Sequence, residues 1–278
     1  MTFSARPLAF VSLLACAAAP LAAQHRHGGD DRPMSCRDSD RESGDDAGSR
    51  YCEIRNAGFK AGGAVKVSPG ENGAIRITGW DRDSVDVIVR VQAQADDEAT
   101  ARQIAQQVRV ARDGDRLNAE GPGYRRHESW SVSYEIRAPR RTNLDLTTLN
   151  GPLAVEDLTG TLRLSAVNGP LTLAGLGGDV HAHAQNGPLD VTLQGQRWDG
   201  AGLDAETQNG PLTLNVPDGY NAALETGTIN GPMEIDFPVT VQGRIGTGAR
   251  RHLTTTLGSG GPPVRVVTTN GPAVIRRS

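Results

Sequence analysis

From residue 141 to the end, apolar and polar residues alternate with a period of two, and the tripeptide Asn-Gly-Pro breaks the alternation at intervals. It begins at Asn150, Asn168, Asn186, Asn209, Asn230 and Asn270, with spacings of 18, 18, 23, 21 and 40 residues. Two, four and six residues before each Asn stand small or aliphatic side chains, as in Leu162, Leu164 and Ala166. Three and five residues after it stand others, as in Leu171 and Leu173. The positions between them, such as Arg163 and Ser165, are mostly polar. That is the pattern of a strand with one buried face, so each repeat reads as strand, NGP corner, strand and looser turn.

A unit of about twenty residues cannot bury its apolar side alone and must stack on its copies. Parallel stacking predicts a mainly β fold, a right-handed β-helix or solenoid of about seven coils, because parallel crossovers are right-handed in about 98% of cases. In this reading the 40-residue interval hides one further copy, with the Gly-rich stretch 237–261 as a modified coil. Each Asn shares the parity of the inward set, which predicts an asparagine ladder along the axis, with Asn270 near its end. The alternative is an antiparallel β-sandwich or barrel, since Asn-Gly between alternating hydrophobics is also a hairpin signal that would pair Leu146 with Val155. The proline weighs for the solenoid, because a residue before proline is held extended.

Upstream, residues 51–140 predict an amino-terminal β region. Val65 and Val67, Ile75 and Ile77, and Val85 to Val91 alternate with polar residues. Asp96 is placed to cap a short helix, 96–107, with Ala99, Ile104 and Val108 near one face. Residues 1–23 read as a secretory signal peptide: Arg6, an apolar run, then small residues. A lipid anchor at Cys16 is the rival reading, from the imperfect lipobox Leu13-Leu14-Ala15-Cys16. Export leaves Cys36 and Cys52 as an even pair in an oxidising compartment and predicts a disulfide, with about 3 kcal/mol of stabilisation in the loop-entropy model. Residues 24–50 are nearly all polar and read as a disordered linker.

Composition narrows the function. Aromatic residues are only 4% of the sequence, while 34 Gly and 16 Pro suit many turns. A net charge of −3 with no basic stripe argues against nucleic acid as a partner. No nucleophile elbow, P-loop, HExxH or calcium-binding nonapeptide is present. His181 and His183 project from one strand face and are the weak metal candidates, with no third ligand evident. Asp190, Asp204 and Glu206, with Trp198 and Tyr220, are the residues from which a carbohydrate-active or glycan-binding face would be built. No cofactor is expected.

The segments YCEIR at Tyr51, RITGWDRDSVDVIV from Arg76 and SVSYEIRAPRRTNLDL from Ser131, followed by serial TxNG corners, resemble the bacterial putative-adhesin family of exported β-strand-repeat proteins. That family is one of unknown function. The resemblance covers nearly everything from Tyr51 to Ser278. It implies a solenoid-like fold outside the cytoplasm and brings no catalytic residues. This sequence departs from the family in placing Pro after every NG of the series and in lacking a recognisable carboxy-terminal anchor. The expectation is therefore a non-enzymatic exported or cell-surface protein, periplasmic or secreted, presenting a rigid face to surface proteins or glycans. It is not expected to span a membrane, and self-association through exposed end strands is expected unless the amino-terminal region and the tail Arg276, Arg277 and Ser278 blunt them. The alternative is a carbohydrate-active or glycan-binding β-helix protein.

Overall fold

The computed structural model describes residues 34–36, 48–236 and 251–278. The signal segment, the lipobox at Cys16 and most of the linker lie outside the described residues. The amino-terminal elements are β1 (Ser49–Lys60), β2 (Ala64–Ser68), β3 (Ile75–Trp80), β4 (Ser84–Ala95), α1 (Glu98–Gln107), β5 (Arg109–Asp113), β6 (Arg116–Glu120) and β7 (Ser129–Pro139). Strands then come in pairs around each NGP: β8 (Asn143–Asn150) and β9 (Leu153–Glu156), β10 (Thr159–Asn168) and β11 (Leu171–Ala174), β12 (Gly177–Asn186) and β13 (Leu189–Thr192). They continue with β14 (Gly202–Asn209) and β15 (Leu212–Val216), then β16 (Ala222–Asn230) and β17 (Met233–Asp236). After β18 (Arg251–Leu257) comes the last pair, β19 (Pro263–Asn270) and β20 (Ala273–Arg277).

The fold is mainly β, in two ten-stranded mixed sheets. The first runs β1-β4-β7-β3-β9-β11-β13-β15-β20-β17 and the second β18-β16-β19-β14-β12-β10-β8-β2-β6-β5. Both are open sheets, which excludes the closed barrel. Each NGP divides its repeat between them, so Leu146 and Val155 lie in different sheets and are not a cross-strand pair. Neighbouring repeats pair in parallel and in register, and Leu144, Leu162, Val180, Leu203, Val264 and Leu224 form one column. All six are at most 2% exposed. Full burial of one such residue stabilises by about 1.5–3 kcal/mol, so these columns are the main source of cohesion. Among the described strands, antiparallel pairing is confined to β1 with β4, β4 with β7, β5 with β6, and β16 with β18.

Two departures from the expected order stand out. The last repeat in sequence is not last in space: β19 lies between β14 and β16, and β20 between β15 and β17. The tail residues Arg276 and Arg277 are thus on an internal strand and do not blunt the end of the stack, where β17 and β18 are the edges. Within the 40-residue interval the described strand β18 runs antiparallel to β16, so this part of it is an edge strand and not a further parallel repeat. The amino-terminal region joins the same sheets directly, β2 pairing with β8 and β3 with β9.

The helix is capped by Asp97, not Asp96. Its carboxylate accepts from the Thr100 backbone N–H at 2.9 Å. The buried face is Ala101, Ile104 and Ala105, with Val108 buried at the carboxy-terminal cap; of the expected set Ile104 and Val108 are buried and Ala99 is exposed. The helix lies across β1 and β4, and Arg55 of β1 donates to Ala105 O and Val108 O at 3.1 and 2.8 Å, satisfying carbonyls at its end. Cys36 and Cys52 form the expected disulfide, with Cα atoms 5.8 Å apart. Strand β1 starts at Ser49, so the expected linker ends before residue 50.

The asparagine ladder is present on the outside of the corner. Each amide Nδ2 donates to the Oδ1 of the preceding repeat: Asn150 to Asn72 (3.2 Å), Asn168 to Asn150 (2.9 Å), Asn186 to Asn168 (3.0 Å), Asn209 to Asn186 (3.0 Å), Asn270 to Asn209 (2.8 Å) and Asn230 to Asn270 (2.8 Å). The six NGP asparagines are exposed, contrary to the inward parity expected, because the backbone turns between residues such as Thr148, buried, and Asn150. The ladder ends at Asn230, and Asn270 is internal. Replacing Asn186 with Ala removes two exposed amide bonds and is expected to cost about 1 kcal/mol. Asn230→Ala, with one bond, should cost roughly 0.5 kcal/mol. Denaturant midpoints at unchanged slope would read the difference, and equal losses would refute a per-bond contribution.

Candidate functional site

The outward positions of β8, β10, β12 and β14 form two rows across the second sheet. Register places Asp145, Arg163, His181 and Asp204 in one row, and Thr147, Ser165, His183 and Glu206 in the other. Alternation along each strand sends these residues to solvent while Leu144 or Leu162 goes to the core. The small Thr147 and Ser165 lie beside longer charged neighbours, and the rows enclose a shallow groove of about 380 Å³, floored by Leu146, Leu164 and Ala182.

The groove's acidic side is organised by Arg265 of β19. Its guanidinium lies 2.6 Å from Asp204, 3.5 Å from Glu206 and 3.3 Å from Glu225. Partial burial opposes the charge of Arg265, but the hydrogen bond and charge of Asp204, with the charges of Glu225 and Glu206, more than offset it and raise its pKa. His183 Nδ1 is 3.2 Å from Glu206, and His181 Nε2 is 3.3 Å from Asp179. Arg163, at the centre of the groove, is exposed and in no ion pair among the described residues. The site therefore offers one uncommitted cation and two hydroxyls between a free carboxylate, Asp145, and an acidic cluster whose three carboxylates share the single guanidinium of Arg265.

The residues singled out from the sequence are only partly brought together. His181 and His183 line the groove, each paired with a separate carboxylate. Among the described residues no group of three His, Cys, Asp or Glu converges for a metal ion. Asp204 and Glu206 are there too, tied to Arg265. Asp190 is not: it lies on β13 of the first sheet, flanked by Thr172 and Thr213, because it follows the Asn186 corner, whereas Asp204 precedes the Asn209 corner. Trp198 is 4% and Tyr220 2% exposed, so neither offers a ligand its ring. Trp198 Nε1 donates to Gly178 O at 2.9 Å, and burial pushes the Tyr220 phenol up to about 12. Two participants were missed in the sequence. Arg265 stands five residues before Asn270, the position Arg163 holds before Asn168, and could have been aligned with it. Asn72-Gly73, with Ile75 and Ile77 at the usual offsets, carries no Pro and so escaped the NGP pattern.

No family model matches this protein, and no curated protein matches it. Among solved structures it is similar to a putative cell adhesion protein from Clostridium sporogenes ATCC 15579, at 10% identity and a TM-score of 0.37, over 82% of this chain and 100% of that one. It is similar also to a putative adhesin from Bacteroides fragilis NCTC 9343, at 14% identity and a TM-score of 0.33, over 81% of this chain and 97% of that one. A third is a putative lipid binding protein from Parabacteroides distasonis ATCC 8503, at 9% identity and a TM-score of 0.28, over 82% and 96%. No helix among the described residues is long and apolar enough to cross a membrane.

Proposed function

We propose that this protein is an exported, non-catalytic component of the cell envelope or surface, a β-solenoid whose second-sheet face docks a protein partner. The observation that carries the reading is the groove around Arg163, where in-register repeats hold a free guanidinium and a free carboxylate at neighbouring positions on a rigid sheet. Rigid elements present such groups at little entropic cost to the partner's contacts. Seven asparagines in one ladder and the parallel, in-register pairing support a solenoid of about seven coils, and the usual crossover hand supports a right-handed one. The signal-like segment 1–23 supports export. A glycan reading loses its aromatic platforms, since Trp198 and Tyr220 belong to the core.

The test is made on cells expressing the full-length protein. Fractionation and external protease should place it outside the cytoplasm, and cells carrying Arg163→Glu should adhere less to protein-coated surfaces than cells carrying the unaltered protein, at equal surface levels. Retention in the cytoplasm, unchanged adhesion, or hydrolysis of polysaccharide by the purified protein would each refute the corresponding part.

A further inference from the structure

The ladder holds seven Asn-Gly pairs, and they are not equivalent. In six the glycine N–H donates to the Asn carbonyl of the next repeat at 2.9 to 3.0 Å, from Gly73 to Asn150 at one end through to Gly271 and Asn230 at the other. Among the described residues no repeat lies beyond Gly231, and its N–H meets no acceptor. Asn230 is exposed, and its amide makes a single ladder bond, to Asn270 Oδ1. The guanidinium of Arg251 stands at the same corner, donating to Gly231 O at 2.8 Å.

We propose that Asn230 is a modification site, the corner at which this fold leaves spontaneous deamidation and isoaspartate formation open. The Gly231 nitrogen gives its proton to hydroxide and attacks Asn230 Cγ. A ring bond from that nitrogen to Cγ forms, the bond from Cγ to the amide Nδ2 breaks, and ammonia leaves after taking a proton from water. Water then opens the succinimide at one of its two carbonyls, leaving Asp or isoaspartate at position 230. One water is consumed and one ammonia released, with no change of oxidation state. Glycine suits the step because no Cβ shields its nitrogen. At the other six corners that nitrogen is tied to the neighbouring repeat, so local opening must precede attack. The cation of Arg251 favours both the anionic nitrogen and the carboxylate that results.

The five other NGP corners have the same tripeptide and serve as internal controls. The full-length protein, aged in mildly alkaline buffer, is digested and each corner peptide is assayed by mass spectrometry and isoaspartate labelling. Asn230 should convert at least about tenfold faster than Asn150, Asn168, Asn186, Asn209 or Asn270, the ratio expected where reaction awaits local opening. In denaturant the six rates should become alike. Equal rates in the folded protein would overturn the proposal, and so would an excess at Asn230 that persists after unfolding, since the cause would then lie outside the ladder.

Discussion

Alanine in place of Gly187 is expected to lower stability by roughly 3–5 kcal/mol, measured by thermal or denaturant unfolding. A Cβ built at this position lies 2.1 Å from the Gly169 carbonyl oxygen and 2.6 Å from its carbon. Both are backbone atoms. Gly169 N–H is bonded to Asn186 O at 3.0 Å, and Leu171 N–H to Pro188 O at 2.9 Å, so relief requires the two repeats to separate and give up these bonds. The same contact recurs down the corner: Gly210 meets Gly187 O at 2.0 Å and Gly271 meets Gly210 O at 2.1 Å. Gly195→Ala is the control, at φ +75° with nothing within 4 Å of the new carbon, and should bear only the left-handed penalty of about 1 kcal/mol. Similar losses in the two variants would show that close approach is not what demands glycine at the corner.

Val266→Asp is expected to be comparably damaging and to reach beyond its own strand. Val266 is fully buried on β19, in register with Ala205 of β14 and Thr226 of β16. An unpaired carboxylate there should cost about 4 kcal/mol or more. Because β19 and β20 seat the β16 and β17 pair, hydrogen exchange should show protection lost in β16, β17 and β18 together with β19 and β20, while β8 to β13 stay protected. Stacking in sequence order would instead leave β16 and β17 protected and expose only the last pair.

Strands, corners and the ladder were legible because period-two burial and the NGP tripeptide are both local signals. Spatial order was not. The NGP copies are chemically interchangeable at the corner, so nothing in Asn270-Gly271-Pro272 distinguishes an internal repeat from a terminal one. The antiparallel edge strand β18 alternates as the repeats do, with Leu253, Thr255 and Leu257 buried, but no NGP follows it, so neither its direction nor its partner was marked. Parity failed at Asn150 because Leu149 and Asn150 are both exposed where the backbone turns. For the candidate site, Asp204, Glu206, His181 and His183 were found because each is a polar residue at an outward position. Asp190 was misassigned through disregard of the corner, which sends every residue after it to the other sheet. Trp198 and Tyr220 sit in irregular segments, where alternation gives no clue to burial.

The corner also has a polarity. Along it the glycine N–H groups all point toward the Asn230 end, as Gly151 does to Asn168 O and Gly271 to Asn230 O. The asparagine amides all point the other way, Asn168 to Asn150 and Asn230 to Asn270. Two columns of amide dipoles, each of about 3.5 D, therefore lie side by side in opposition. Unlike a helix, whose peptide groups add up to a charge at each end, this corner grows by repeats without accumulating one.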